Sequence, residues 1–158
     1  MLPAYESARL QSSKEPDSAG GPDPDRAGDE DWPTLVVQAG YSESYNYLFR
    51  DMARWFVLSN HDVKIVLLVH WNRQTREITL ERWEEEERSS PAREGVNVRI
   101  LKCQQTIIIT RHRCRGEPFG NMYMEAVAGG DIVLKFSSLF LREPRGRPES
   151  DIVVTEGD

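Results

Sequence analysis

The chain has 158 residues, of which 39% are hydrophobic and 29% charged, with a formal net charge of −6. That balance fits one soluble domain with a tail. No positively charged n-region precedes an apolar run at the start, and no apolar run reaches the ~18 residues that span a bilayer, so neither a secretory leader nor a membrane helix is expected. An intracellular location is the resulting expectation, with nucleus and cytoplasm not distinguishable. Two cysteines in such a chain do not argue for a disulfide framework.

Residues 1–31 hold eight acidic and three basic residues and little apolar surface. Such a segment cannot offset its ordering entropy and is expected to be a disordered acidic leader. Residues 32–158 form the expected single domain. Within it, Thr34 to Ala39 is a short β-branched run stopped by Gly40, as in a strand buried on both faces. Ser42 or Ser44 is positioned to cap a helix in which Tyr45, Leu48, Met52 and Trp55/Phe56 recur at spacings of three and four. Val63 to Val69 then reads as a central strand. Strand, crossover helix and second buried strand make a βαβ unit over 34–70 with parallel strands and right-handed sense. Glu77 to Trp83 alternates, as expected of an antiparallel strand at or near the sheet edge. The fold class is α/β or α+β with a mixed β-sheet.

Four consecutive acids, Glu84 to Glu87, follow, and their mutual repulsion predicts a solvated loop or frayed strand end. Two strand-like runs come next, Asn97–Lys102 and Gln105–Thr110. Arg99, Lys102, Arg111, Arg113 and Arg115 come with no acid between Val96 and Gly116, and arginine supplies 16 of the 20 basic residues. A patch of this kind suits phosphate contact, while the plainer reading is the wet face of a strand and a basic turn. Cys103, His112 and Cys114 match no common zinc spacing, and His61 and His70 stand alone. Asp131–Phe136 reads as a strand, Ser137–Leu141 as a short helix or turn, Arg142–Pro148 as a break, and Asp151–Val154 as a last edge strand.

The run Pro33-Thr34-Leu35-Val36-Val37-Gln38-Ala39-Gly40-Tyr41-Ser42-Glu43-Ser44, a helix with Asp51 and Trp55, and then Asp62 to Val69 together resemble the second half of the PD-(D/E)XK, or restriction-endonuclease-like, core. The likeness covers about fifty residues. It is strongest to the putative restriction endonuclease branch and to uncharacterised fungal proteins with Gly, Tyr and Ser-Glu-Ser after the strand. The resemblance implies a restriction-endonuclease-like core with antiparallel strands after the βαβ unit. It also implies a site of acids, often with a Lys, around Mg²⁺, since that ion takes hard oxygen ligands.

Carried over residue by residue, the motif Glu falls on Gln38, the motif Asp on Thr34, and the helix Lys on Asp51, four residues before Trp55. A further family acid comes from an upstream strand, and no strand-like run precedes Pro33. The reading that follows is a degenerate, non-catalytic binding or interaction module, with no cofactor expected and Arg111, Arg113 and Arg115 as its candidate nucleic-acid contacts. One alternative is an active Mg²⁺-dependent DNA endonuclease with migrated acids, among which Asp51 is the candidate metal ligand and Glu43 and Asp62 the other acids near the unit. A second alternative is a product truncated on its N-terminal side, without activity.

Overall fold

The structure is a computed structural model. It describes residues 15–23, 26, 28, 31–41, 44–90, 97–113, 122–128 and 130–155, with the backbone alone for 111–113 and 122–128. Eight strands and two helices follow in chain order: β1 (Ser18–Gly20), β2 (Leu35–Tyr41), α1 (Tyr45–Leu58), β3 (Ile65–Asn72), β4 (Glu77–Ser89), β5 (Asn97–Arg113), β6 (Met122–Ala128), β7 (Ile132–Leu134), α2 (Phe136–Phe140) and β8 (Ile152–Val154). The fold is α+β. Strands β1 to β6 form one six-stranded sheet in sequence order, and β7 and β8 form a second pair. Only β2 and β3 run parallel, joined by α1 as the expected βαβ unit, and the remaining pairs are antiparallel.

The alternation of side chains along β2 and β3 divides the core in two. Val36, Val66 and Leu68 face α1 and pack with Leu48, Met52, Trp55 and Phe56. Those four helix residues are the buried part of the stripe read from the sequence, while Tyr45 at its start stays exposed. Ile65 and Leu67 point to the other face, where Ile107, Ile132, Leu134 and Leu139 bring the β7–α2 segment over the sheet. Burying both faces of β2 and β3 explains their unbroken apolar character. At Gly40 the helix comes close: a Cβ there would lie 2.8 Å from Leu48 Cδ2, so the strand admits α1 because this position has no side chain.

Five expectations are corrected. The 1–31 leader is not structureless throughout, because Ser18–Gly20 pairs antiparallel with Leu35–Val37 as an edge strand. Arg26 also ties this segment to the core, through Trp32 O at 2.8 Å and Asp62 Oδ1 at 3.1 Å. Ser44 occupies the N-cap without a side-chain cap bond, and its carbonyl instead accepts the Tyr47 and Leu48 N–H groups; Ser42 lies outside the described residues. Strand β4 is interior, between β3 and β5, rather than at the edge.

The acidic run is the fourth correction. Glu84 to Glu87 belong to β4, and β5 places Lys102, Leu101, Ile100 and Arg99 opposite them. Arg99 meets Glu87 at 3.4 Å and Lys102 meets Glu86 at 2.8 Å. The bond from Lys102, with a second from Gln104, lowers the Glu86 carboxyl below its ordinary range. The two runs read as strands 97–102 and 105–110 are one 17-residue strand. A register shift opposite Arg82/Trp83 absorbs one extra residue and keeps the ladder continuous across Gln104.

The chain after α2 is held by a carboxylate. Glu149 accepts both terminal nitrogens of Arg142, at 2.7 and 2.6 Å, and the Arg145 N–H at 2.7 Å. These bonds, Arg142's foremost, hold its carboxyl at about 2, against 4.5 for an ordinary glutamate. A folded-state pKa below the unfolded value contributes stability above the unfolded pKa, and that contribution is lost as pH falls through the folded one. Acid unfolding followed by circular dichroism is therefore expected to be less steep between about pH 4.5 and 2 in Glu149→Gln than in the parent chain.

Candidate functional site

Strand β2 ends the βαβ unit's first arm with an amide at position 38, and the fold gives that amide two partners. Gln38 is buried on the α1 side of the sheet. Its Oε1 accepts the Trp55 indole N–H at 3.1 Å, and its Nε2 donates to Asp17 Oδ2 at 3.2 Å. The same Asp17 oxygen accepts the Ala39 backbone N–H at 2.6 Å. An acidic residue therefore does precede Pro33 beside the motif strand, placed there by β1. Three residues of strand are too short a run to read from composition, so Asp17 was not legible as a neighbour of Gln38.

Thr34 is buried at the opposite end of β2, and its hydroxyl donates to Leu139 O at 2.8 Å. Four residues separate it from Gln38, about 13 Å in an extended chain. The two motif positions therefore do not share a ligand sphere. Asp51 is half-buried on α1, one turn before Trp55, and has bonding partners of its own. Asp62 is ion-paired with Arg26, and Glu43 lies outside the described residues. No grouping of three His, Cys, Asp or Glu side chains among the described residues could hold a metal ion. An amide bonded at both ends and a threonine bound to a backbone carbonyl do not fit the hard-oxygen sphere of Mg²⁺.

The other candidates fall apart in the same way. Arg99 and Lys102 are paired across the β4–β5 ladder, so the basic stretch is neutralised over its first half. Arg111 and Arg113 lie on β5 beyond the start of β4, and Arg115 is outside the described residues. Cys103 is a free thiol that donates to Gln105 O at 3.3 Å, while Cys114 lies outside the described residues. His61 is not isolated: its Nδ1 sits 2.8 Å from the Glu85 carboxylate. His70 packs edge-on against the Tyr45 ring.

Two features, the second of them at the end of the sheet where β2 and β3 finish, were not read from the sequence. The first is a polar link between helix and sheet: Glu81 Oε2 accepts the Tyr45 hydroxyl at 2.7 Å and the Trp83 indole N–H at 2.8 Å. Partial burial, with the Glu81 bond and charge next, raises the Tyr45 phenol above its ordinary range. The second is a pair of exposed rings. Parallel register sets Tyr41 beside Trp71, their centroids 4.7 Å apart, and the rings are 50% and 44% exposed. The signal was available, since both residues end apolar strands, but only the parallel pairing brings them together. No helix among the described residues is long and apolar enough to cross a membrane. No family model, curated protein or solved structure matches the chain.

Proposed function

We propose that this chain is a binding or interaction module built on a degenerate restriction-endonuclease-like core, and that it performs no nuclease chemistry. The observation that carries the reading is the state of Gln38. The position where the resembled motif has its catalytic glutamate is an amide with a donor bond to Asp17 and an acceptor bond from Trp55. A glutamine suits both partners at once because it has both a donor and an acceptor end. A glutamate there would set a second carboxylate against Asp17. Position 38 thus ties the residue before β1 to β2 and α1, and position 34 ties the start of β2 to α2.

Incubation of the purified chain with plasmid and single-stranded DNA, in Mg²⁺ or Mn²⁺ and with an EDTA blank, tests the proposal. The expected result is intact DNA with both the parent and Asp51→Ala. Metal-dependent cleavage that disappears in Asp51→Ala overturns it.

A further inference from the structure

The rim at the C-terminal ends of β2 and β3 gathers exposed aromatic rings and guanidinium groups. Sheet register places its parts. Tyr41 pairs with Trp71, Trp71 with Ile78, and Ile78 with Ile109, so one row across four strands lies on the face away from α1. The β7–α2 segment covers the sheet from Ile65 to Ile107, and the row ends in rings that remain open to solvent.

Beyond this row the chain turns. Asn72 Oδ1 accepts the Gln74 and Thr75 N–H groups, and Arg73 and Arg76 project from the turn, both exposed. Arg76 adopts a φ of 58°, a left-handed conformation that glycine or asparagine would take at lower cost. The turn therefore presents a guanidinium at a position where backbone preference alone would select a smaller residue. Because Asn72, Glu77 and Thr110 are in register, Arg111 and Arg113 continue β5 past the start of β4, on the same side of the molecule as that turn. Glu77 follows the turn at the start of β4, and the run Glu84 to Glu87 lies toward the far end of the strand.

We propose that this rim binds single-stranded nucleic acid, with bases stacking on Trp71 and Tyr41 and phosphates meeting Arg73 and Arg76. The inference rests on the reading of the chain as a non-catalytic binding module and names its ligand class. Rings accept any base because every base has a π-face, and arginines hold the backbone between stacked positions. A duplex hides its base faces in its own stack, so rings at an open rim favour a single strand. A bilayer surface is the weaker fit, because the described rim offers only this small aromatic row and no broad aliphatic face to insert.

Fluorescence anisotropy with labelled 15-nucleotide oligo-dT and oligo-U, a 15-base-pair duplex, and phosphatidylserine-containing vesicles, all in EDTA, tests the proposal. The single strands are expected to bind more tightly than the duplex. Trp71→Ala should weaken single-strand binding roughly 5- to 150-fold, the span of one lost base-stacking contact, and Trp71→Phe should restore most of it. The double variant Arg73→Gln/Arg76→Gln should reduce the slope of log affinity against log salt by about 1.4, whereas Arg99→Gln at the far end of β5 should leave affinity unchanged. Absence of single-strand binding by the folded chain overturns the inference and leaves the non-catalytic module standing. Binding that is indifferent to Trp71→Ala, or binding to vesicles alone, also overturns it. Cleavage of the bound strand on adding Mg²⁺ supports the ligand class and overturns the non-catalytic reading instead.

Discussion

Truncating Phe56 to alanine is expected to destabilise the chain by about 3–5 kcal/mol, the range measured for large aromatic truncations in packed cores. Phe56 is 1% exposed and sits among Leu48, Met52, Val36 and Val66, where α1 meets β2 and β3. Removing the ring takes apolar area away from the core and leaves a void that the two strands cannot collapse into without breaking their parallel register. Domains of this size are stable by only about 5–15 kcal/mol, so the loss is a large fraction of the total. The adjacent Val57 is 72% exposed on the opposite side of the helix. Its replacement by alanine should change stability by no more than about 0.5 kcal/mol. Urea denaturation, with the midpoint falling at constant slope for Phe56→Ala and unmoved for Val57→Ala, checks both.

The second large effect is electrostatic. Arg82 and Glu84 are both buried in β4 on the face that β7 covers, joined by Nη1 to Oε1 at 2.6 Å. Leu67 and Ile65 flank them on β3, with Gln105 and Lys102 opposite on β5. Gln105 is occupied with the backbone of β7, accepting the Val133 N–H and donating to Asp131 O, and Arg82 Nε is buried with no partner among the described residues. Glu84→Ala leaves a guanidinium in that environment without its counter-charge and should cost about 3–5 kcal/mol. Replacing the pair together, as Arg82→Met/Glu84→Leu, removes both desolvation penalties. That double variant should be close to neutral or more stable by about 1–4 kcal/mol. A double variant as unstable as Glu84→Ala would mean that the pair holds the sheet by its geometry rather than by mutual compensation.

The βαβ unit was legible because its signals are local. The three- and four-residue spacing of Leu48, Met52, Trp55 and Phe56 and the β-branched runs before and after them need no distant partner to be read. The acidic run failed as a loop because its compensation is non-local: Arg99, Lys102 and Gln104 reach it from the other arm of a hairpin. Glu84 is answered within its own strand by Arg82, two positions away on the same face, and that spacing could have been read. Strand β1 escaped notice because Ser18, Ala19 and Gly20 have weak strand propensity and are ordered by pairing with β2.

The candidate site was legible only as a set of positions. The sequence places Gln38, Thr34 and Asp51 at positions of the resembled motif, but what Gln38 and Thr34 do depends on Trp55, Asp17 and Leu139. Two of those three partners lie outside the motif strand and its helix. The aromatic rim was hidden for a similar reason, since Tyr41 and Trp71 are thirty residues apart and become neighbours only through parallel register.

The proposed function requires position 38 to be a structural tie and not a metal ligand. Adding substoichiometric Mn²⁺ to uniformly ¹⁵N-labelled protein, while following the Gln38 side-chain amide and the Trp55 indole N–H, tests it most directly. Both signals should persist with linewidths no broader than those of exposed amides elsewhere, because neither group's lone pairs or protons are open to an ion. Selective broadening of both signals at a few per cent of one equivalent would place a cation beside Gln38 and contradict the claim.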